Sequence, residues 1–150
     1  MAEPDTIYFY AQPDPYGEFS NFAPFGVAME CTYWPTVEHY FQAMKFHDDA
    51  YRERIRSATK PKDAKALGQN RAVPLRADWD DIKDAIMYDA VRKKFETHPT
   101  PRDLLLGTGD ARIVENAPAD YYWGCGQDGT GLNRLGEILM QVRTDLRTNA

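Results

Sequence analysis

The stretch WPTVEHYFQAMKF, residues 34–46, carries a carboxylate at Glu38, an amide at Gln42 and an amine at Lys45. On a helix, at about 100° per residue, Gln42 and Lys45 fall within roughly 40° of Glu38. From Glu38 to Lys45 the axis rises roughly 10 Å, which leaves room for a sugar-sized ligand between the two tips. A carboxylate and a desolvated amine so placed can move protons and attack an electrophilic carbon. Tyr40, Phe41, Ala43, Met44 and Phe46 cover much of the remaining circumference. The stripe therefore faces either a cavity or water. The second reading has its own support, because the helix dipole favours Glu in a first turn and Lys in a last turn without any ligand. The same dipole helps to keep Glu38 ionised, which suits it to activating water or stabilising positive charge rather than donating a proton.

A second segment, WGCGQDGTGLNRLG at 123–136, leads into the last helix. Gly124, Gly126 and Gly129 match the G-x-G-x-x-G spacing, but no second βαβ strand with its acidic residue follows, so the dinucleotide reading is rejected. Glycines still allow close backbone approach, and a helix start offers N–H groups to an anion. A phosphate or ribose fits such a loop at Gly124, Gly126 and Asn133; a loop that needs glycine only to turn fits equally. Trp123 beside it can stack on a base or fill a core. In EFSNFAPF, Phe19, Ser20 and Asn21 can recognise a heterocycle by stacking and hydrogen bonds, or form an Asx turn anchored by core rings. Asp120 is either a second carboxylate for glycosidic chemistry or a turn residue. Arg71 is either a phosphate partner or a surface arginine. His39, His47 and His98 have no metal-ligand spacing, and Cys31 and Cys125 make neither a disulfide framework nor a four-ligand site. No metal and no cofactor are expected.

The elements that must position these residues can be read from pattern. The chain has 150 residues, 43% of them hydrophobic, and a net charge of −5. That length suits a single domain, 1–150, with a real core, and the acidic balance argues against a broad nucleic-acid footprint. No signal peptide or membrane-length apolar run occurs, so a cytoplasmic protein without membrane contact is expected. TIYFY and GVAMECTYW read as two strands that can pair, and ARIVEN as a third. Thr36 caps a helix expected from about Val37 to Phe46. DDAYRERIRSA, PKDAKALGQ (opened by Pro61), a long helix from Asp78, TPRDLLLGTG and LNRLGEILMQVRTDL supply the others. Helices outnumber strands without regular alternation, which predicts an α+β fold, helix-rich with a small sheet.

Read together, FSNFAPF, WPTVEHYFQAMKF, ALGQNR, the helix opened by Trp79, GTGDARIVENAP and DYYWGCGQDGTGLNRLGEILMQVR resemble the NADAR, or YbiA-like, family. The resemblance runs in order from about Tyr8 to Arg143. It implies that family's α+β fold and an N-glycosidase acting on N-ribosylated compounds. Two substrate classes go with it: ADP-ribose attached to guanine in nucleic acid, and phosphoribosylamino-pyrimidine intermediates of riboflavin biosynthesis. The first, ranked ahead by a small margin, brings a functional pairing with a DNA ADP-ribosyltransferase toxin. The family's glutamate falls on Glu38, its lysine on Lys45, its tryptophan on Trp79 and its aspartate on Asp120.

Both substrates join ribose C1′ to an exocyclic amine, so the sugar can open to an imine. Lys45 can then displace the amine as a Schiff base, with Glu38 shuttling protons. Alternatively, Glu38 and Asp120 support direct hydrolysis through an oxocarbenium-like state. Gln42, Arg71 and the glycine loop would hold the polar groups and phosphate, while Trp79, Trp123 or Phe19 would stack on the base. A rival of another class is a module that binds ADP-ribose without cleaving it.

Overall fold

The computed structural model describes residues 5–11 and 13–148. The fold is α+β, with six α-helices and two two-stranded sheets among the described residues. Its contacts divide it into a central unit, Asn21–Lys94, and a terminal unit formed by the residues up to Ser20 and those from Phe95 onward. No helix among the described residues is long and apolar enough to cross a membrane.

In the terminal unit, β1 (Thr6–Phe9) pairs in parallel with β4 (Arg112–Glu115), in the register Thr6 to Arg112 through Phe9 to Glu115. The long α6 (Arg134–Thr148) packs on β4, and α5 (Pro99–Gly107) packs on α6. Leu135, Leu139 and Val142 recur at helical spacing and are buried.

The central unit opens with a hairpin, β2 (Val27–Met29) and β3 (Thr32–Trp34). GVAMECTYW is thus two strands rather than one, and β1 pairs with β4 instead of with this segment. The two-residue turn Glu30-Cys31 has φ of 52° and 67°. Positive values at both central positions match the twist of a type I′ hairpin, but the usual Asn-Gly signal is missing, so the turn was hidden from sequence reading. Three short helices follow: α1 (Val37–Ala43), α2 (Asp49–Arg56) and α3 (Pro61–Gly68), mutually packed. Asp48 caps α2 by accepting the amide of Tyr51 at 3.0 Å, and Pro61 sits in the first turn of α3, where its missing N–H is harmless. The last helix to begin in this unit is α4 (Trp79–Thr97).

Candidate active site

The site is organised by α1, a helix buried at every position. Thr36 starts it: its Oγ1 accepts the amide of His39 at 3.1 Å. His39 is held at both ring nitrogens, with Nδ1 2.8 Å from Thr36 Oγ1 and Nε2 2.9 Å from the carbonyl of Ala58. A carbonyl can only accept, so Nε2 carries the hydrogen and donates to it. His39 therefore pins α1 to the end of α2.

The polar stripe is not a solvated face. Glu38, Gln42 and Lys45 are 6%, 4% and 9% exposed. The backbone amide of Glu38 donates to the carbonyl of Asn21 at 3.1 Å, and its carboxylate oxygen Oε2 accepts from Gln42 Nε2 at 2.6 Å. A short bond to a charged acceptor in a dry setting is a strong one. The helix expected to reach Phe46 stops at Ala43, with Met44 as its cap. Lys45 lies one residue beyond, its amide donating to Gln42 O at 3.3 Å and its carbonyl accepting from Arg76 N at 2.9 Å.

Lys45 Nζ lies 5.8 Å from the centroid of the Phe41 ring. Burial pushes its ammonium down to about 8; the charge of Arg71 adds to this, that of Glu38 opposes it, and Lys65 and Lys83 contribute further lowering. At pH 7 a group titrating near 8 is free base in about one molecule in ten, against fewer than one in a thousand for an ordinary lysine.

Other predicted residues gather in the same unit. Trp79 is 8% exposed and packs on Phe41 with ring centroids 5.1 Å apart, so one neighbour of its ring is already protein. Arg71 is exposed, and one guanidinium nitrogen caps α3 by donating to Gly68 O at 2.9 Å. Asn21 Nδ2 donates to Met87 Sδ at 3.4 Å, while its Oδ1 is buried with no hydrogen-bond partner among the described residues. Gln42 Oε1 is a second buried acceptor in that condition. A cleft of about 190 Å³, lined by Trp34, Tyr40, Met44 and Arg52, includes none of Glu38, Gln42 and Lys45.

The remaining predicted residues belong to the terminal unit, where most have structural duties. Phe19 is 1% exposed and enclosed by Phe9, Tyr16 and Phe95, so it is a core ring with no face for a base. Ser20 closes the 3-10 turn Gly17–Phe19, its amide donating to Gly17 O at 3.0 Å. Asp120 makes an Asx turn: Oδ1 accepts the amides of Tyr122 and Trp123 at 3.1 and 2.8 Å. Trp123 is half-buried and meets Tyr122 edge-on at 4.8 Å. Asn133 is committed to β4, its Oδ1 accepting from Glu115 N and its Nδ2 donating to Ile113 O, both at 2.9 Å.

The glycine loop does not present the free N–H groups expected of it. The amides of Asn133, Arg134 and Leu135 donate to the carbonyls of Gly124, Tyr122 and Trp123 at 3.0, 3.0 and 3.1 Å. The loop folds back over the start of α6 and satisfies that end itself. Gly126, at φ 72°, supplies the left-handed turn this requires, and Gly124 is buried inside the loop.

Sequence reasoning missed Arg76, Lys65 and Lys83. Arg76 had a readable signal, since Arg-x-Asp before a helix invites a local fork: its Nε and Nη2 meet the two oxygens of Asp78 at 2.7 and 3.2 Å. The two lysines lie on α3 and α4 with no periodic cue linking them to Lys45.

Comparison with known proteins covers nearly the whole chain. A family model described as NADAR domain matches residues 8–147. The N-glycosidase Npun_R5314 of Nostoc punctiforme is 52% identical over 145 residues, 95% of this chain and 93% of that protein. The NMR structure of the E. coli protein YbiA superposes with a TM-score of 0.90 at 45% identity, covering 99% of this chain and 89% of that one. A maize protein named riboflavin biosynthesis protein PYRR, chloroplastic, is 39% identical over 160 residues, 96% of this chain but 26% of its own length. With a family match running almost end to end, the chain belongs to the NADAR domain family and is an enzyme of the N-glycosidase class.

Proposed function

We propose that the enzyme cleaves the bond between ribose C1′ and an exocyclic amine of a heterocycle through a Schiff base on Lys45. The observation that carries this is the state of Lys45: buried, titrating near 8, and seven residues along the chain from a carboxylate bonded by Gln42. In the ring-opened substrate, C1′ is doubly bonded to the exocyclic nitrogen. The free amine of Lys45 adds to C1′, and Glu38 takes a proton from the adding nitrogen and passes it to the exocyclic one. The bond from C1′ to that nitrogen breaks, leaving C1′ doubly bonded to Lys45. Water then adds to C1′, the bond to Lys45 breaks, and ribose leaves as an aldehyde that recloses.

The cations around the amine suit a phosphorylated sugar. Arg71, Lys65 and Lys83 all act on Lys45 electrostatically, and an exposed guanidinium such as that of Arg71 favours phosphate. Asn21 Oδ1 is a buried acceptor suited to a donor of the leaving heterocycle. Both phosphoribosylamino-pyrimidines and ADP-ribosylated guanine satisfy these requirements. The relative named for riboflavin biosynthesis supports the pyrimidine and moves it ahead of the guanine adduct that the sequence reading ranked first.

A paired assay tests both levels. A phosphoribosylamino-pyrimidine and guanine-ADP-ribosylated DNA are each offered to wild type, Glu38→Gln and Lys45→Ala, with borohydride added during turnover and the protein weighed by mass spectrometry. Release of the pyrimidine, with a ribose phosphate adduct trapped on Lys45, is expected. Turnover without any adduct would replace the Schiff base by direct hydrolysis, with Glu38 and Asp120 as the carboxylates. Turnover of the DNA alone would restore the guanine reading.

A further inference from the structure

Glu38 depends on Gln42, and Gln42 depends on a residue that has no side chain. A Cβ built on Gly68, at the C-terminal end of α3, would meet Gln42 Oε1 at 1.9 Å, Cδ at 2.7 Å and Cβ at 2.9 Å. All three of its nearest neighbours are atoms of Gln42. Contacts below 3.0 Å do not survive between real Cβ atoms, and the Gln42 Cβ cannot swing away, because it is fixed to the backbone of α1. The other two atoms are the amide end that bonds Glu38.

Gly68 is not there for its backbone. It is the last residue of α3, and no positive φ requires a glycine at this position. Its φ would admit any residue, and what excludes a Cβ here is packing. That packing is the line from Gly68 through Gln42 to Glu38.

The bonding of Gln42 is consistent with this. Its Nε2 donates to Glu38 Oε2 at 2.6 Å, while Oε1 is buried with no conventional donor among the described residues. The α-hydrogen that replaces a side chain on Gly68 points along the direction of the missing Cβ, straight at Oε1. A Cα–H to oxygen contact of this kind is weakly favourable. Turning the amide over would set Oε1 against the carboxylate of Glu38, two acceptors at hydrogen-bond distance, which an ionised Glu38 forbids.

We infer that Gly68 is a positioning residue: by leaving its Cβ site empty it seats the Gln42 amide on Glu38, and so holds the carboxylate ionised and aimed. This rests on the reading of Glu38 as the proton carrier. The structural half of it, however, can be measured without any substrate.

The experiment is a ¹³C NMR titration of the Glu38 carboxyl in wild type, Gly68→Ala, Gln42→Gly and the double variant Gly68→Ala/Gln42→Gly, with thermal melts and, where the wild type turns over, pH–rate profiles. A donor bonded to a carboxylate favours its charged form. Gly68→Ala is therefore expected to raise the Glu38 titration as Gln42→Gly does. It should lower kcat roughly tenfold or more, the size of a lost hydrogen bond to a charged group, with a smaller change in KM. In the Gln42→Gly background, Gly68→Ala is expected to leave the Glu38 titration unmoved, because the intermediary is gone. It should also melt higher than Gly68→Ala alone, because the clashing atoms are gone.

If Gly68→Ala leaves the Glu38 titration at its wild-type position, the inference is overturned, whatever the activity. If Gly68→Ala fails to fold, recovery of folding in the double variant supports the contact, and failure of both overturns it. If Glu38 moves as expected while the wild type cleaves neither substrate, it is the proposed function that falls.

Discussion

The backbone amide of Arg76 donates to the carbonyl of Lys45 at 2.9 Å. One of its guanidinium nitrogens lies 3.4 Å from the carbonyl of Met44, while the other two grip Asp78. The nucleophile proposed here sits just past a helix end, where carbonyls lose their helical partners and the chain is free to fray. Arg76 bonds two consecutive carbonyls there, so the stem of Lys45 starts from a fixed point.

Replacing Arg76 by Ala keeps the backbone bond but removes the fork. The melting temperature is expected to fall by a few degrees, about 1 kcal/mol for a hydrogen-bonded partly exposed pair, and kcat is expected to fall more than KM changes. Arg76→Lys should not rescue it, since an ammonium cannot span Asp78 and Met44 together. Thermal melts and steady-state rates of the three proteins check this.

Lys45 should be a burden on the fold. A lysine held near 8 instead of 10.5 destabilises the protein at neutral pH by about 2 kcal/mol once residual solvent screening is allowed for. Because the folded pKa is the lower one, the unfolded chain binds the extra proton between the two values. The penalty is complete below pH 8 and disappears as the pH rises from 8 towards 10.5. Lys45→Met is accordingly expected to melt higher than wild type at pH 7, to lose that advantage near pH 10, and to be inactive.

The same titration gives the rate its pH dependence. Only the free amine attacks, so log kcat/KM is expected to rise with pH and level off near 8. Arg71 contributes to holding Lys45 down. Arg71→Gln should therefore shift this rise to higher pH, besides raising KM for a phosphorylated substrate. A profile that moved to lower pH would contradict the electrostatic assignment.

Asp120 separates the two chemical routes. Its Oδ1 accepts two backbone amides, a duty Asn can perform and Ala cannot. Asp120→Ala is expected to lose about 1 kcal/mol of stability, while Asp120→Asn should melt like wild type and, on the Lys45 route, keep its activity within about threefold. A loss of about a hundredfold in Asp120→Asn with an unchanged melt would be the size of a missing general base, and would favour direct hydrolysis.

The helices were legible because their signals are local. Thr36, Asp48 and Pro61 each start a helix by chemistry contained within a few residues, and Trp79 opens α4 at the expected place. Glu38, Gln42 and Lys45 could be grouped from spacing alone. Spacing could not tell that they were buried, because a first-turn Glu and a last-turn Lys look the same on a wet helix. The end of α1 differs from the sequence expectation because residues up to Phe46 all favour helix, whereas the carbonyls of Met44 and Lys45 bond Arg76, some thirty residues on. Asn133 and Phe19 looked like ligand contacts because polar and aromatic residues near glycine suit binding and structure equally. Their true partners, the backbone of β4 and the rings of Phe9 and Phe95, are remote in sequence.

The parallel pairing of β1 with β4 bears on how the chain is made. Residues 6–9 leave the ribosome well before the strand they pair with, 112–115. The central unit is one continuous run, 21–94, and has all its hairpin and short-helix contacts available before residue 112 is synthesised. Chains fold by domains as they emerge, and contacts distant in sequence close slowly. The first strand of this enzyme therefore waits, unpaired, while the part that carries Glu38 and Lys45 takes shape. Until synthesis passes Glu115, that waiting strand is the exposed edge a chaperone or a neighbouring nascent chain would find.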